Sequence, residues 1–166
     1  MINSNWKCNT GVSLVEVLVA LVVLSIGILG VAALHATALK NNTSSYVRSQ
    51  MMIAAYDLAD RMRANRESAL DGDYDGINGA QHGNCETATG CVPQQMAEHD
   101  IWTWKNQLVT IIPNATGIVC QDASPDDGTG LGAAACSGSG DLRAIKIWWQ
   151  DDEDGSTTRL VIGVRL

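Results

Sequence analysis

Three sets of side chains in this 166-residue sequence are of a type and spacing that could do chemistry. The first is a single carboxylate. Glu16 lies in Gly11-Val12-Ser13-Leu14-Val15-Glu16 and leads directly into 17–34, 18 residues whose only polar side chain is Ser25. An unpartnered acid is costly near lipid, so a charge at the mouth of such a run either stays wet at a headgroup boundary or meets an opposite charge. The second set is cysteine. Cys8 stands near the start, and Cys85, Cys91, Cys120 and Cys136 form an even set further on. Their C-x5-C and C-x15-C spacings do not match zinc-ligand pairs, so two disulfides formed in an oxidising compartment are the expectation. Four cysteines allow three connectivities. Cys85–Cys91 with Cys120–Cys136 is favoured, because each bond closes a Gly-rich loop that has no core of its own. The third set is Asp71-Gly-Asp-Tyr-Asp-Gly76, which puts Asp71, Asp73 and Asp75 at positions 1, 3 and 5 of an EF-hand-like loop with Gly at 6. Position 12 is His82 in place of a bidentate Glu, and Asp and Gly favour turns unaided. This is a calcium candidate with an incomplete ligand set, and no other metal or cofactor is expected. His35, His82 and His99 fall in no metal or nucleophile pattern, so no enzyme is expected.

The elements that position these groups follow from periodicity. From Val12 to Leu34 the chain is apolar but for Ser13, Glu16 and Ser25. Its 17–34 core makes about 27 Å of helix, close to the hydrocarbon thickness of a bilayer. No second run of this kind exists, which points to a single-span membrane protein and away from a channel or transporter. Lys7, the one charge ahead of the run, favours a cytoplasmic N-terminus and an exported C-terminal part. A secretory signal ending at Ala36-Thr37-Ala38 is the rival reading; the length of the apolar run and the Glu at its start argue against it. No Pro interrupts residues 12–66, and Val47, Met51, Ala54 or Ala55, Leu58 and Met62 recur at helical spacing. One helix from Val12 to about Ala64, on the order of 80 Å long, is therefore expected, its second half packing an apolar stripe on a sheet.

Residues 67–92 read as a long loop. Helical spacing returns over 100–112, with Ile101, Trp104 or Trp102, Leu108 and Ile111 on one side and Pro113 as the stop. Residues 116–120 read as a short strand, and 142–150 with 157–166 as a hairpin around the polar turn 151–156. Trp148 and Trp149 alternate along a strand, so one of them is expected at the surface, covering loop or sheet. The fold class is α+β. A net charge of −7, with 18 acids against 11 bases, argues against nucleic acid as a partner.

The Gly11–Glu16 string, its short basic leader and the apolar helix behind it resemble the prepilin processing motif of type IV pilins and type II secretion pseudopilins. Ala55-Tyr-Asp-Leu-Ala-Asp-Arg-Met-Arg-Ala-Asn65 at the end of the long helix is similar to the PilV branch of minor pilins, the pilus modification proteins. This likeness covers the first 66 residues well and the remainder in outline. Val12 departs from the commoner Phe, at a position where the family accepts other apolar residues.

The resemblance implies a pilin-like fold, with a long N-terminal helix on a small antiparallel sheet. It implies cleavage between Gly11 and Val12 by a prepilin peptidase, N-methylation of Val12, and a Glu16 that pairs with the N-terminal amine of a neighbouring subunit. Residues 1–11 would then be leader, 12–38 the transmembrane and assembly half of the helix, and 39–166 a periplasmic head. Cys8 and Lys7 leave with the leader, which resolves the odd cysteine count and moves the side-chain charge from −7 to −8. The implied partners are the peptidase, other minor pilins, the major pilin and the inner-membrane assembly machinery. The implied role is to prime or join a pilus that supports attachment and twitching motility, from the bacterial inner membrane. A type II secretion pseudopilin shares all of this anchor physics and is the nearest alternative. A membrane-anchored calcium- or ligand-binding module is the alternative of another class.

Overall fold

The computed structural model describes residues 11–76, 78–150 and 155–166. The element order is α1 (Leu14–Ala64), α2 (Arg66–Asp71), a 3₁₀ turn (Gly83–Glu86), α3 (Pro93–Ile111), β1 (Thr116–Gln121), β2 (Arg143–Gln150) and β3 (Thr157–Val164). The chain divides into two compact units, Met1–Thr43 and Ser44–Leu166, and α1 runs through both.

In the first unit the described residues are helical from Leu14 onward, and their side chains are all exposed. An 18-residue window here has a mean hydropathy of 2.9, so by length and composition α1 is apolar enough to cross a membrane. Its few hydroxyls are internally satisfied. Ser25 Oγ donates to Leu21 O at 2.6 Å and Thr37 Oγ1 to Ala33 O at 3.1 Å, which lets polar side chains ride an apolar helix without unmet donors.

The second unit is α+β. Its three strands form one antiparallel sheet in the order β1-β2-β3. Val119↔Ile145, Ile145↔Ile162 and Ile147↔Leu160 lie in register, so one face of the sheet is apolar. Against that face pack Met51, Ala54, Ala55, Leu58 and Met62 of α1, the stripe expected from its 3.6-residue period, together with Ile101, Trp104 and Leu108 of α3. Gly117 of β1 lets α3 pack close, because a Cβ there would lie 2.4 Å from the Trp104 ring.

Three expectations need correction. First, α3 begins at Pro93, seven residues ahead of the expected start at Asp100. Pro at N1 fits a helix start, and Gln94, Gln95 and Glu98 are good helix formers whose polar, half-wet face hides the period. Second, 67–92 is not all loop: α2 occupies its start, closed by Gly72 in the left-handed conformation at φ 91°. Third, Trp148 and Trp149 are both buried, at 2% and 1% exposure. They do face opposite sides of β2, but both sides are covered. Trp149 belongs to the core with the helices, and the other face lies under the 122–140 loop. Of the polar turn expected at 151–156, residues 151–154 lie outside the described residues.

Candidate functional site

The N-terminal group is built on the start of α1. Gly11 and Val12 precede the helix in non-helical backbone, exposed, and nothing lies within 4 Å of where a Gly11 Cβ would stand. Ser13 O accepts from the Glu16 N–H at 3.0 Å and the Val17 N–H at 3.2 Å, closing the first turn. Glu16 therefore sits in that first turn, where the helix dipole favours a carboxylate. Its side chain is exposed, with apolar neighbours along the helix on every face. The geometry is an accessible non-helical peptide, then a carboxylate in the first helical turn, then an uncovered apolar stretch of helix. Lys7 and Cys8 lie outside the described residues.

The four remaining cysteines form two bonds, Cys85–Cys91 and Cys120–Cys136, with Cα separations of 4.9 and 6.0 Å, inside the usual range for disulfides. The first closes the loop around the 3₁₀ turn, and that loop is tied to α3. His82 N–H donates to His99 Nδ1 at 3.1 Å and His82 Nε2 meets Glu98 Oε2 at 2.6 Å. Because His99 Nδ1 accepts, its proton is on Nε2, which faces Glu86 Oε1 at 3.3 Å. These histidines hold a loop in place, in a pattern of long-range contacts that their sequence spacing does not show.

The second disulfide closes the loop that covers the outer face of the sheet, over a fully buried Lys146. Its Nζ lies 2.6 Å from Asp122 Oδ2, which is equally buried, and 2.6 Å from Asp127 Oδ1, and it donates to Ala134 O at 2.8 Å. Burial pulls the ammonium towards neutrality, but Asp122 and Asp127 outweigh it and leave Lys146 above its ordinary value. For Asp122, burial pushes upward while Lys146 and the Ser124 N–H hold the carboxyl below its ordinary value. Arg159 secures the same loop through Gly128 O at 2.7 Å and Asp126 Oδ1 at 2.8 Å.

The Asp71 loop gathers no ligand set. Asp71 ends α2, Asp73 N–H turns back to Ser68 O, and Asp75 is paired with Arg143, which also donates to Leu70 O. Burial raises the Asp75 carboxyl, with Arg143 opposing the shift. Among the described residues no three His, Cys, Asp or Glu side chains converge as a metal site. Polar residues late in α1 are likewise structural. Arg61 bonds Asp57 at 2.9 Å and Asp100 at 3.0 Å, Tyr74 donates to Asp100 at 2.7 Å, and Asn65 donates to Pro93 O at 2.8 Å. Together they pin the end of α1 to α3.

Comparison with known proteins places these features in a frame. Residues 6–32 match the prokaryotic N-terminal methylation motif, and residues 33–102 match a family model described as type IV pilin Tt1218. No curated protein and no solved structure matches the chain.

Proposed function

We propose that this chain, whose matches to the N-terminal methylation motif and to type IV pilin Tt1218 support a pilin of the type IV pilus and pseudopilin type, works as a minor pilin, a structural subunit with no catalytic role. It is made with residues 1–11 as leader, cut by prepilin peptidase between Gly11 and Val12, and N-methylated on Val12. Residues 12–38 anchor it in the inner membrane and 39–166 form the periplasmic head. With other minor pilins and the major pilin it primes or joins a pilus that serves attachment and twitching motility. The relationship to the PilV branch rests on the string at 55–65.

The observation that carries this reading is the Glu16 carboxylate, placed in the first turn of a helix that is apolar from Val17 to Leu34 but for Ser25 and exposed throughout its first unit. Cleavage after Gly11 creates an ammonium on Val12. That ammonium and the carboxylate are each costly to bring into lipid or a packed fibre. Pairing Glu16 of one subunit with the amine of the next removes both costs, and only in one register. Assembly register and charge neutralisation thus become the same event.

The test is to alter Gly11 and Glu16 separately and to score processing, surface pili and secretion. Gly11→Val should leave an uncut precursor. Glu16→Ala should be cut and membrane-anchored yet absent from fibres. A Glu16→Ala protein that enters fibres normally overturns the reading. Loss of secretion with pili intact assigns the chain to a type II secretion pseudopilus instead.

A further inference from the structure

Lys146 and Asp122 meet across the β1–β2 ladder. Lys146 stands on β2 opposite Ile118, and Asp122 directly follows β1, its N–H donating to Leu142 O at 3.1 Å. Both side chains are fully buried, and neither has a part in the proposed function.

Their contact is not an ordinary hydrogen-bonded ion pair. Two directions from Nζ are taken, to Ala134 O at 2.8 Å and to Asp127 Oδ1 at 2.6 Å. Asp122 Oδ2 is also 2.6 Å away, yet among the described residues it has no hydrogen-bond partner. The amine therefore lies against the carboxyl group off the hydrogen-bonding direction, a placement that serves nucleophilic attack at Cγ. The other oxygen, Asp122 Oδ1, accepts from the Ser124 N–H at 3.1 Å, which sets a main-chain donor where negative charge would develop on addition. Ser124 Oγ donates to Asp127 Oδ2 at 3.1 Å and so fixes the carboxylate that faces Nζ.

We propose that this is a self-modification site, at which Lys146 Nζ and Asp122 Cγ condense to an amide cross-link between β2 and the covering loop. The Nζ–Cγ bond forms, the Cγ–Oδ2 bond breaks, and no oxidant or cofactor takes part. Of the three ammonium protons, two leave with Oδ2 as water and one remains as the amide N–H. Asp127 takes protons from nitrogen and returns them to the departing oxygen, ending as it began. Both partners are charged in the resting pair, so the bond forms slowly after folding, and freshly folded protein holds the ion pair. Condensation is uphill in open water. Here well-oriented groups reach effective concentrations of about 10⁵–10⁸ M, and the loop closed by Cys120–Cys136 shuts water out. The chemistry is independent of the pilin reading, since it needs only the folded second unit.

The experiment follows the mass of the purified full chain in detergent, with both disulfides formed, during incubation near neutral pH; samples are reduced just before measurement. The expected result is a species lighter by one water that accumulates with first-order kinetics independent of protein concentration. Its tryptic digest should hold one branched peptide joining Asp122 to Lys146. Asp122→Ala should never form it. Asp127→Asn keeps the Lys146–Asp122 pair and should slow it about 100-fold, where a merely structural Asp127 would leave the rate unchanged. Cys120→Ser with Cys136→Ser should stop it, and Cys85→Ser with Cys91→Ser should not. An unchanged mass after weeks of incubation, a water lost without a branched peptide, a branch at Asp127, or a parental rate in Asp127→Asn overturns the proposal. The parent chain's own mass decides the matter even where a variant fails to fold.

Discussion

Lys146 Nζ lies 2.6 Å from Asp122 Oδ2 with both side chains fully buried, beneath a loop that the Cys120–Cys136 bond closes. The pair decides whether the outer face of the sheet stays covered. Removing Lys146 leaves the Asp122 carboxylate buried without a counter-charge, which costs about 3–5 kcal/mol. Lys146→Met should therefore lower stability by that amount in denaturant titration, whereas Asp122→Ala should cost less, because Asp127 Oδ1 still lies 2.6 Å from Lys146 Nζ. Lys146→Met together with Asp122→Leu should recover much of the loss, because a well-packed apolar pair avoids both desolvation costs. A double variant no better than Lys146→Met would show that the ions do more than neutralise each other.

The same pair fixes the direction of the pH dependence. Asp122 is held below its ordinary value of 3.8 in the folded state, so its contribution is present above that value and is lost as pH falls through the folded one. Lys146 is held above its ordinary 10.5, so its contribution is complete below that value and is lost only as pH rises past the folded one. Asp75, raised by burial, works the other way and softens the acid limb. Thermal melts should show a plateau through neutral pH, with losses confined to strongly acid and strongly alkaline solution. In Asp122→Asn the acid limb should flatten. An unchanged limb would assign it to other carboxylates.

The two disulfides should differ in worth. By chain entropy, the sequence separation of 16 between Cys120 and Cys136 corresponds to about 3 kcal/mol, and the separation of 6 between Cys85 and Cys91 to about 2 kcal/mol. Cys120→Ser with Cys136→Ser should also let the covering loop lift, so that Lys146 becomes reactive to an amine-labelling reagent in the folded protein. Cys85→Ser with Cys91→Ser should leave Lys146 protected. Mass spectrometry of the labelled residue separates the two.

Gly117 is a test of close packing. A Cβ there would stand 2.4 Å from the Trp104 ring and 3.0 Å from Leu108 Cδ1, both in the buried core. Gly117→Ala should cost about 1–3 kcal/mol through overpacking. Trp104→Phe in the same chain should recover part of that loss by freeing the space.

These positions also mark where the sequence was legible. Val47, Met51, Leu58 and Met62 repeat at helical spacing, so the face α1 turns to the sheet could be read locally. The N-terminal motif and the strands were legible for the same reason, since each signal lies within a few neighbouring residues. Two things were not. The start of α3 at Pro93 hides behind Gln94 and Gln95, which form helix well but carry no apolar period. The cover over Trp148 is a Gly-, Ser- and Ala-rich loop without pattern, and its anchors join residues far apart in sequence, Asp122 to Lys146 and Asp126 to Arg159. An ion pair of that separation gives no local signal, so both tryptophans of β2 could be buried when alternation placed one at the surface.

The last prediction separates charge from shape at Glu16. Gln fills almost the same volume and keeps hydrogen-bonding capacity but cannot neutralise an ammonium. If Glu16 serves as a wet boundary residue, Glu16→Gln should assemble like the parent. If it pairs with the amine on Val12 of a neighbour, Glu16→Gln should resemble Glu16→Ala, with fibre incorporation down about tenfold or more, since the amine must then be desolvated without a counter-charge. Membrane extraction should show both variants still anchored, because removing a carboxylate makes an apolar segment easier to insert. Raising the pH until the new N-terminal amine is neutral, near its ordinary range of about 7.7–8.0 and above, should narrow the gap between Gln and Glu in a reconstituted assembly assay. A gap that does not change with pH would sever Glu16 from the amine.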